Sequence, residues 1–381
     1  MLTQTEKKQV VVVLGGYGNF GKRICHELAQ NASIRVIIAG RNQKKASLLQ
    51  VALKKEFPQS DVETLVLDRK NNNFKEKLID CKATILVHTA GPFQNQDYLI
   101  ADFCIEAKIN YVDIADSREY VVNIKSLNEK ASENRVVVIS GASSVPGLAS
   151  TVIDGFALKF STLLNIDFGI SPGNKVERGL GTLRSVFDYV GKPFLQLNNG
   201  KWQTVYGWQQ MHRQYFGDNI GMRWQSCCDV PDLELLPQRY PKLLSAKFYA
   251  GLEIGFLHLM LWKMSWLVRW KFIKNLSYFA GGIEKISFLF KKMGTPKGGM
   301  YVHLYGTDFQ YQPYEIQWNL VAESAHGLNI PIIPALIIIK KMLNQELESG
   351  ARPCTNLFSL DEFDVFAKKW NIYHTTSERQ M

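Results

Sequence analysis

A doubly wound parallel α/β sheet followed by a mixed α+β unit is the fold that the sequence predicts, on three observations. Apolar strand-like runs alternate with helical patterns as far as residue 140. The first run ends in a glycine-rich turn, Gly15-Gly16-Tyr17-Gly18-Asn19-Phe20-Gly21. Beyond Pro146-Gly147 the alternation gives way to longer β-like stretches punctuated by Gly and Pro. Alternation of the first kind builds a parallel sheet with helices on both faces.

The strand-like runs are Val10–Leu14, Arg35–Ala39, Glu63–Leu67, Thr84–His88, Tyr111–Ile114 and Val136–Ile139. Helical patterns between them cover 22–30, 43–56, 74–79, 96–107 and 119–133. A further helix is expected from Leu148 to Phe160. Then come β-like stretches at Ile166–Ile170, Leu183–Tyr189, Trp202–Tyr206, Met300–Tyr305 and Glu315–Val321, read as a mixed or antiparallel sheet. Ala335–Glu348 reads as a helix, with Gly350 and Pro353 as its stop signal. The chain therefore divides into 1–147, a Rossmann-type nucleotide domain, and 148–381, an α+β unit for substrate or oligomer contacts.

The glycine turn carries the most chemistry. A G-x-G-x-x-G turn between a buried strand and a helix lets backbone approach a pyrophosphate, and the helix N–H groups face the anion. Here the required strand precedes it and a helical stretch, Lys22 to Gln30, follows. NAD-selective sites place an Asp or Glu at the end of the second strand, about 20 residues on. This chain has Ala39-Gly40-Arg41-Asn42 there, and the nearest downstream acid is Glu56. A guanidinium can bond a 2′-phosphate that a carboxylate would repel. The expectation is NADP(H), with Arg41 on the phosphate and Asn42 beside it.

Bulk properties narrow the class. The chain has 381 residues, 46% of them hydrophobic, enough for two domains with a sizeable core. Six cysteines show no C-x-x-C spacing, which argues against a zinc site or a disulfide framework and suits a reducing, cytoplasmic compartment. The N-terminus runs straight into the first strand, and no signal-peptide apolar region is expected there.

The first 150 residues resemble the saccharopine dehydrogenase-like family of NADP-binding oxidoreductases. The resemblance rests on the glycine turn, Ala39-Gly40-Arg41, Asp68, and His88-Thr-Ala-Gly-Pro-Phe93. Asn110-Tyr-Val-Asp-Ile-Ala115, Ser144-Val-Pro-Gly-Leu148 and Gly350-Ala-Arg-Pro-Cys354 extend it. It implies a Rossmann domain, an α+β domain and NADP use. It does not imply saccharopine as substrate, because no residue set for an α-amino dicarboxylate can be placed. It also suggests that Asp68 accepts from the adenine amino group, where the bland reading is a helix cap.

Ligands of such sheets bind outside the carboxyl ends of the strands. That places Ala90, Gly91, Pro92 and Phe93 beside the nicotinamide ribose. His88, Tyr111, Asp113 and Asp116 lie at strand ends on the same side, and His326 could line the cleft from the second unit. His88, Asp113 and His326 are the candidates for proton transfer, although each has an ordinary structural reading. No metal site is expected.

Residues 247–297 hold nine Lys/Arg and two acids, a local charge of +7 within an overall +10. Leu252–Ile273 also carries Trp262, Trp266 and Trp270 at helical spacing. Four charges, Glu253, Lys263, Arg269 and Lys271, argue against a simple membrane span. An interfacial helix fits better, because Trp and basic side chains suit the headgroup boundary. Ile283–Met293 has similar character, so peripheral membrane contact through 252–293, or an apolar substrate channel opening there, is one expectation. A lid over the second unit or a homodimer interface is the other. Nucleic acid is not expected, since no recognition motif is present. The leading function is an NADP(H)-dependent oxidoreductase acting on an imine, carbonyl or activated double bond of an apolar or lipid-like substrate. The alternative is a nucleotide-binding sensor or scaffold without turnover.

Overall fold

The computed structural model describes residues 8–71, 73–176, 179–283, 290 and 292–380. The first half runs β1 (Gln9–Leu14), α1 (Gly21–Ala29), β2 (Ile34–Gly40), α2 (Gln43–Glu56), β3 (Asp61–Val66), α3 (Phe74–Asp80), β4 (Ile85–His88), α4 (Leu99–Glu106), β5 (Asn110–Asp113), α5 (Arg118–Asn123), α6 (Asn128–Glu133) and β6 (Val137–Ser140). A wide turn over Ser144–Leu148 leads into α7 (Ala149–Ala157). The second half runs β7 (Thr162–Ser171), α8 (Leu180–Tyr189), β8 (Pro193–Asn198), β9 (Lys201–Tyr206), β10 (His212–Tyr215), β11 (Met222–Cys227), α9 (Asp232–Arg239), β12 (Ser245–Ala250) and α10 (Gly255–Arg269). It ends with β13 (Gly298–Thr307), β14 (Pro313–Ala322), α11 (Ile333–Leu343), β15 (Gly350–Pro353), α12 (Leu360–Ala367) and β16 (Ile372–Gln380).

The first sheet has the order β15-β6-β5-β4-β1-β2-β3 among the described residues, and every pairing in it is parallel. Val11, Val12 and Val13 are wholly buried, as a strand covered on both faces requires. Strand order reverses between β1 and β4, which opens a crevice at their carboxyl ends. The second sheet is mixed, with the path β10-β11-β12-β7-β13-β14-β16 and β8 and β9 branching from β12. One of its faces joins the main core: Phe168, Val302, Leu304, Trp318 and Leu320 are covered.

Three sequence expectations need correction. Leu183–Tyr189, read as β-like from its apolar and aromatic residues, is helix α8. Its covered residues Leu183 and Phe187 stand four apart, the spacing of a helix face. They pack with Val190, Trp208, Leu261 and Leu276 in a satellite core. The helix expected over 335–348 spans Ile333–Leu343. Gln345, at φ +57°, turns the chain, and the Glu346 N–H donates to the Lys341 carbonyl. Gly350 and Pro353 are therefore no helix stop. They bound β15, which pairs with β6 as the seventh strand of the first sheet, although 350–353 lies in the stretch assigned to the second unit. Gly350 takes φ +128°, and the Asn128 side chain stands 2.5 Å from where a Cβ would sit. Pro353 is tolerated because β15 is an edge strand.

His326–Leu343 is long and apolar enough to cross a membrane by length and composition. In the fold, 61% of this stretch is buried and Ile337, Ile338 and Ile339 are covered, so α11 is a core helix.

Candidate nucleotide and active site

The glycine turn sits at the crevice between β1 and β4. The N–H groups of Gly15 and Gly16 donate to the Ala39 carbonyl, at 2.9 and 3.1 Å, tying the turn to β2. Gly15 has φ +83°, and a Cβ there would lie 2.8 Å from Thr89 Oγ1. At Gly21 a Cβ would meet the Gly15 carbonyl at 2.3 Å and Gly16 Cα at 2.8 Å. These positions accept only glycine, and the close turn leaves the start of α1 open toward the crevice, the cradle a pyrophosphate needs. Tyr17 reaches across to β2: its hydroxyl accepts from the Asn42 N–H at 2.9 Å, and its ring occupies the space beside Gly40.

Arg41 follows β2 and is exposed. The Asn42 side chain caps α2, accepting from the Lys45 N–H at 3.0 Å. The first turn of α2 holds no acid, and Lys44 and Lys45 are exposed beside Arg41. Asp68 lies in the turn after β3, where its side chain accepts from the Lys70 N–H at 3.1 Å. The turn after β4 is held by Gln96, whose Nε2 donates to the carbonyls of Ala90 and Pro92, at 3.2 and 2.6 Å. Phe93 itself is buried, its ring edge-on to His88 at 4.9 Å and near Tyr120 at 5.3 Å. It props the turn from below, while Gly91 and Pro92 are exposed.

Helix α8 closes the crevice from the second unit. At its N-terminus Gly179 lies against Asn19 of the glycine turn, 3.5 Å from its own ideal Cβ position to Asn19 Cβ. Further along, Ser185 and Tyr189 meet the strand-end residues Gln94 and Asp116. Gln94 Nε2 donates to Ser185 Oγ at 2.8 Å and to the Tyr189 hydroxyl at 3.0 Å. Ser185 Oγ donates to the Asp116 carboxylate at 3.1 Å. Burial raises the Asp116 pKa, against the hydrogen bonds from Ser185 and Gln94 that lower it. Burial likewise raises that of Tyr189. Beyond this cluster Arg118 pairs with Asp229 and donates to the Leu195 carbonyl at 2.9 Å.

Residues 11–139 match the family model described as the saccharopine dehydrogenase NADP binding domain. The first unit is a saccharopine dehydrogenase-type NADP-binding domain. Over the whole chain the fold is that of saccharopine dehydrogenase. The apo, L-Glu-forming enzyme from Saccharomyces cerevisiae superposes with a TM-score of 0.67 at 14% identity, covering 97% of this chain and 100% of that one. Two further solved structures align over about a third of the chain. Sorbitol-6-phosphate 2-dehydrogenase from Erwinia amylovora does so at 18% identity, covering 34% of this chain and 69% of its own, with a TM-score of 0.28. Alternative dihydrofolate reductase 1 from Brucella canis, complexed with NADP, does so at 18% identity, covering 32% and 58%, with a TM-score of 0.24. Neither carries weight beyond its local alignment. No curated protein gives a significant sequence match.

Within this saccharopine dehydrogenase-like fold the three proton-transfer candidates read from the sequence are each engaged in local contacts. His88 is wholly buried, with Nδ1 3.0 Å from the Tyr111 hydroxyl. Burial first, then the Arg69 charge, pushes its pKa down to about 3, which favours the neutral ring. Asp113 is a clasp between β5 and β6. Its Oδ1 accepts from the N–H groups of Ala115 and Gly141 and from Ser140 Oγ, at 2.9, 2.8 and 3.0 Å. His326 contacts the Trp370 carbonyl at 2.5 Å through Nδ1. The sequence reading placed Asp116 at a strand end on the cofactor side but did not single it out. It missed Gln94, Ser185 and Tyr189. Gln94 directly follows the Gly91-Pro92-Phe93 turn and could have been found there. Ser185 and Tyr189 were hidden by the strand reading of α8.

A separate cavity of about 340 Å³ lies between α7, α9 and the segment after β15, lined by Ser150, Asp232, Arg239 and Asn356 among others. Asp232 is 1% exposed, and neither carboxylate oxygen has a hydrogen-bond partner among the described residues. Burial pushes its pKa up to about 7.

Proposed function

We propose that the chain is an NADP(H)-dependent oxidoreductase whose reaction takes place where Gln94, Asp116, Ser185 and Tyr189 converge under α8. The observation that carries this reading is that convergence. Two residues come from strand ends beside the glycine turn and two from the helix above it, so the polar cluster borders the place where a nicotinamide ring would lie in this fold.

The residues present fit the cofactor. The backbone of Gly15–Gly21 would hold the pyrophosphate, Arg41 the 2′-phosphate, and the backbone of Ala90–Phe93 the nicotinamide ribose. Bound there, the dinucleotide supplies or accepts a hydride. The chain's part is to orient the acceptor and manage a proton. Asp116 is the group placed to hold that proton, since its burial favours the protonated acid. Ser185 and Gln94 fix its carboxylate through hydrogen bonds, and the Tyr189 hydroxyl accepts from Gln94 at the far side. Helix α8 keeps bulk water from the crevice.

The substrate class that suits the surroundings is an imine, carbonyl or activated double bond on an apolar molecule. Helix α8 packs its other face against α10 through Leu183, Phe187 and Leu261, and α10 is apolar on its outer side as well. The exposed aromatic residues of the basic stretch around α10 are what favours an apolar substrate over a free amino acid. The test is NADPH oxidation across panels of acyl, imine and carbonyl compounds, with Asp116→Asn alongside. Turnover that falls about 100-fold or more in Asp116→Asn, with NADPH affinity kept, supports the reading. NADPH binding without turnover on any panel would favour a nucleotide sensor.

A further inference from the structure

We propose that the outward face of α10 and the turn after it dock onto an anionic lipid surface. The inference stands on surface chemistry and does not depend on the oxidoreductase reading.

Helix α10 has two opposed faces. His258, Leu261, Ser265 and Val268 are buried and point into the second unit. At a period of 3.6 residues the opposite side carries Phe256, Met260, Lys263, Leu267 and Trp270. Of these, Phe256 is 42% exposed, Met260 53%, Leu267 39% and Trp270 60%. A helix on the surface of a globular unit ordinarily turns polar residues outward. The turn continues the pattern, with Phe272 78% and Tyr278 80% exposed. Trp262, Trp266 and Trp270 follow one another along the helix, the first pair edge-on and the second tilted, 6.2 and 5.4 Å between ring centroids, and line an apolar surface groove of about 420 Å³ with Lys263. Contiguous exposed apolar surface of this kind marks an interaction site.

The charges select the occupant. From Ile254 to Ile283 the sequence contains no Asp or Glu. Glu253, counted in the sequence against a membrane role, is turned inward: it accepts from the Asn174 N–H at 2.6 Å and from Thr295, and pairs with Arg223 at 3.2 Å. Arg269 is folded over Tyr206, 4.0 Å from the ring, and donates to Gln209 Oε1 at 2.7 Å. The remaining exposed charges, Lys263, Lys271 and Lys274, are all cationic. A two-fold contact between copies would bring this patch onto itself and set lysine against lysine. An anionic headgroup layer complements the lysines, while the Trp, Phe and Met side chains enter the acyl boundary. The helix has 15 residues, about 22 Å, too short for a hydrocarbon core of about 30 Å. Its inner face is committed to the satellite core, so it lies in the plane of the surface.

Deleting the helix would strip cover from Leu183 and Phe187, so exposed point substitutions are the cleaner probe. The full-length protein, with Trp270→Glu/Phe272→Glu and Lys271→Glu/Lys274→Glu variants, is co-sedimented with vesicles of phosphatidylcholine and phosphatidylserine in a two-to-one mixture, and with phosphatidylcholine alone. Circular dichroism and NADPH binding report that each variant is folded. The expected result is binding to the mixed vesicles that weakens in high salt and falls at least about tenfold in both variants, with a blue shift of tryptophan emission in the parent protein. Equal sedimentation of parent and variants would overturn the proposal, as would an absence of binding to either vesicle. A concentration-dependent dimer that Trp270→Glu/Phe272→Glu dissolves, with no vesicle binding, would give the surface to a second copy instead.

Discussion

Gln94 and Tyr189 meet at 3.0 Å across the boundary between the two sheets. Gln94 follows the turn after β4, and Tyr189 closes the last turn of α8. Ser185, one helical turn earlier, extends the contact to Asp116 after β5. Two strand ends of one unit and one helix of the other thus share a single polar cluster. The cluster exists only where these elements are assembled, because neither unit holds more than half of its side chains.

The cofactor cradle makes two separable demands. Arg41→Ala removes a charge-assisted bond and should weaken NADPH about 10- to 100-fold, from a loss of about 1.5–3 kcal/mol, with NADH affinity unchanged. Gly21→Ala drives a methyl group into the Gly15 carbonyl and should abolish binding of both nucleotides. Fluorescence titration with each dinucleotide separates the two. Equal loss of NADH in Arg41→Ala would remove Arg41 from the 2′-phosphate.

Asp232 should make the fold sensitive to pH. Its pKa is raised by burial from 3.8 to about 7 in the folded state. The folded chain therefore holds this proton more tightly than the unfolded chain does. The stability it contributes is present below about pH 4 and is lost as pH rises through about 7. Asp232→Asn has no charge to bury, so its Tm should exceed that of the parent protein at pH 8. Between pH 5 and 8 it should also show a shallower fall in Tm. Parallel melting curves at every pH would show that the carboxylate finds partners in solution.

Strand β15 should be vulnerable at one residue. Gly350→Val places a branched side chain at φ +128° and against Asn128 Oδ1. A destabilisation of about 1–3 kcal/mol is expected from backbone strain alone. Amide exchange should then quicken along the β6 edge, where Gly350 donates to the Val136 carbonyl and Cys354 to that of Ser140. Unchanged protection at Val137–Ser140 would mean that β15 adds little to the sheet.

The local part of the fold was legible in the chain itself. The valines of β1, the glycines at 15, 18 and 21, and Arg41 without a nearby acid are short-range signals. Each depends on what a buried strand, a tight turn or a phosphate tolerates within a few residues, and that physics is written in the order of the residues. The tertiary structure decided what depends on partners far away in sequence. Leu183–Tyr189 became a helix because Leu261 and Leu276 cover its apolar face. Residues 350–353 became a strand because β6 had an open edge. His88 was enclosed by Phe93 and Tyr111, and Asp116 met Ser185 because α8 was laid over the strand ends. Burial and assembly set those outcomes, and they arise from the packing of segments that are distant along the chain.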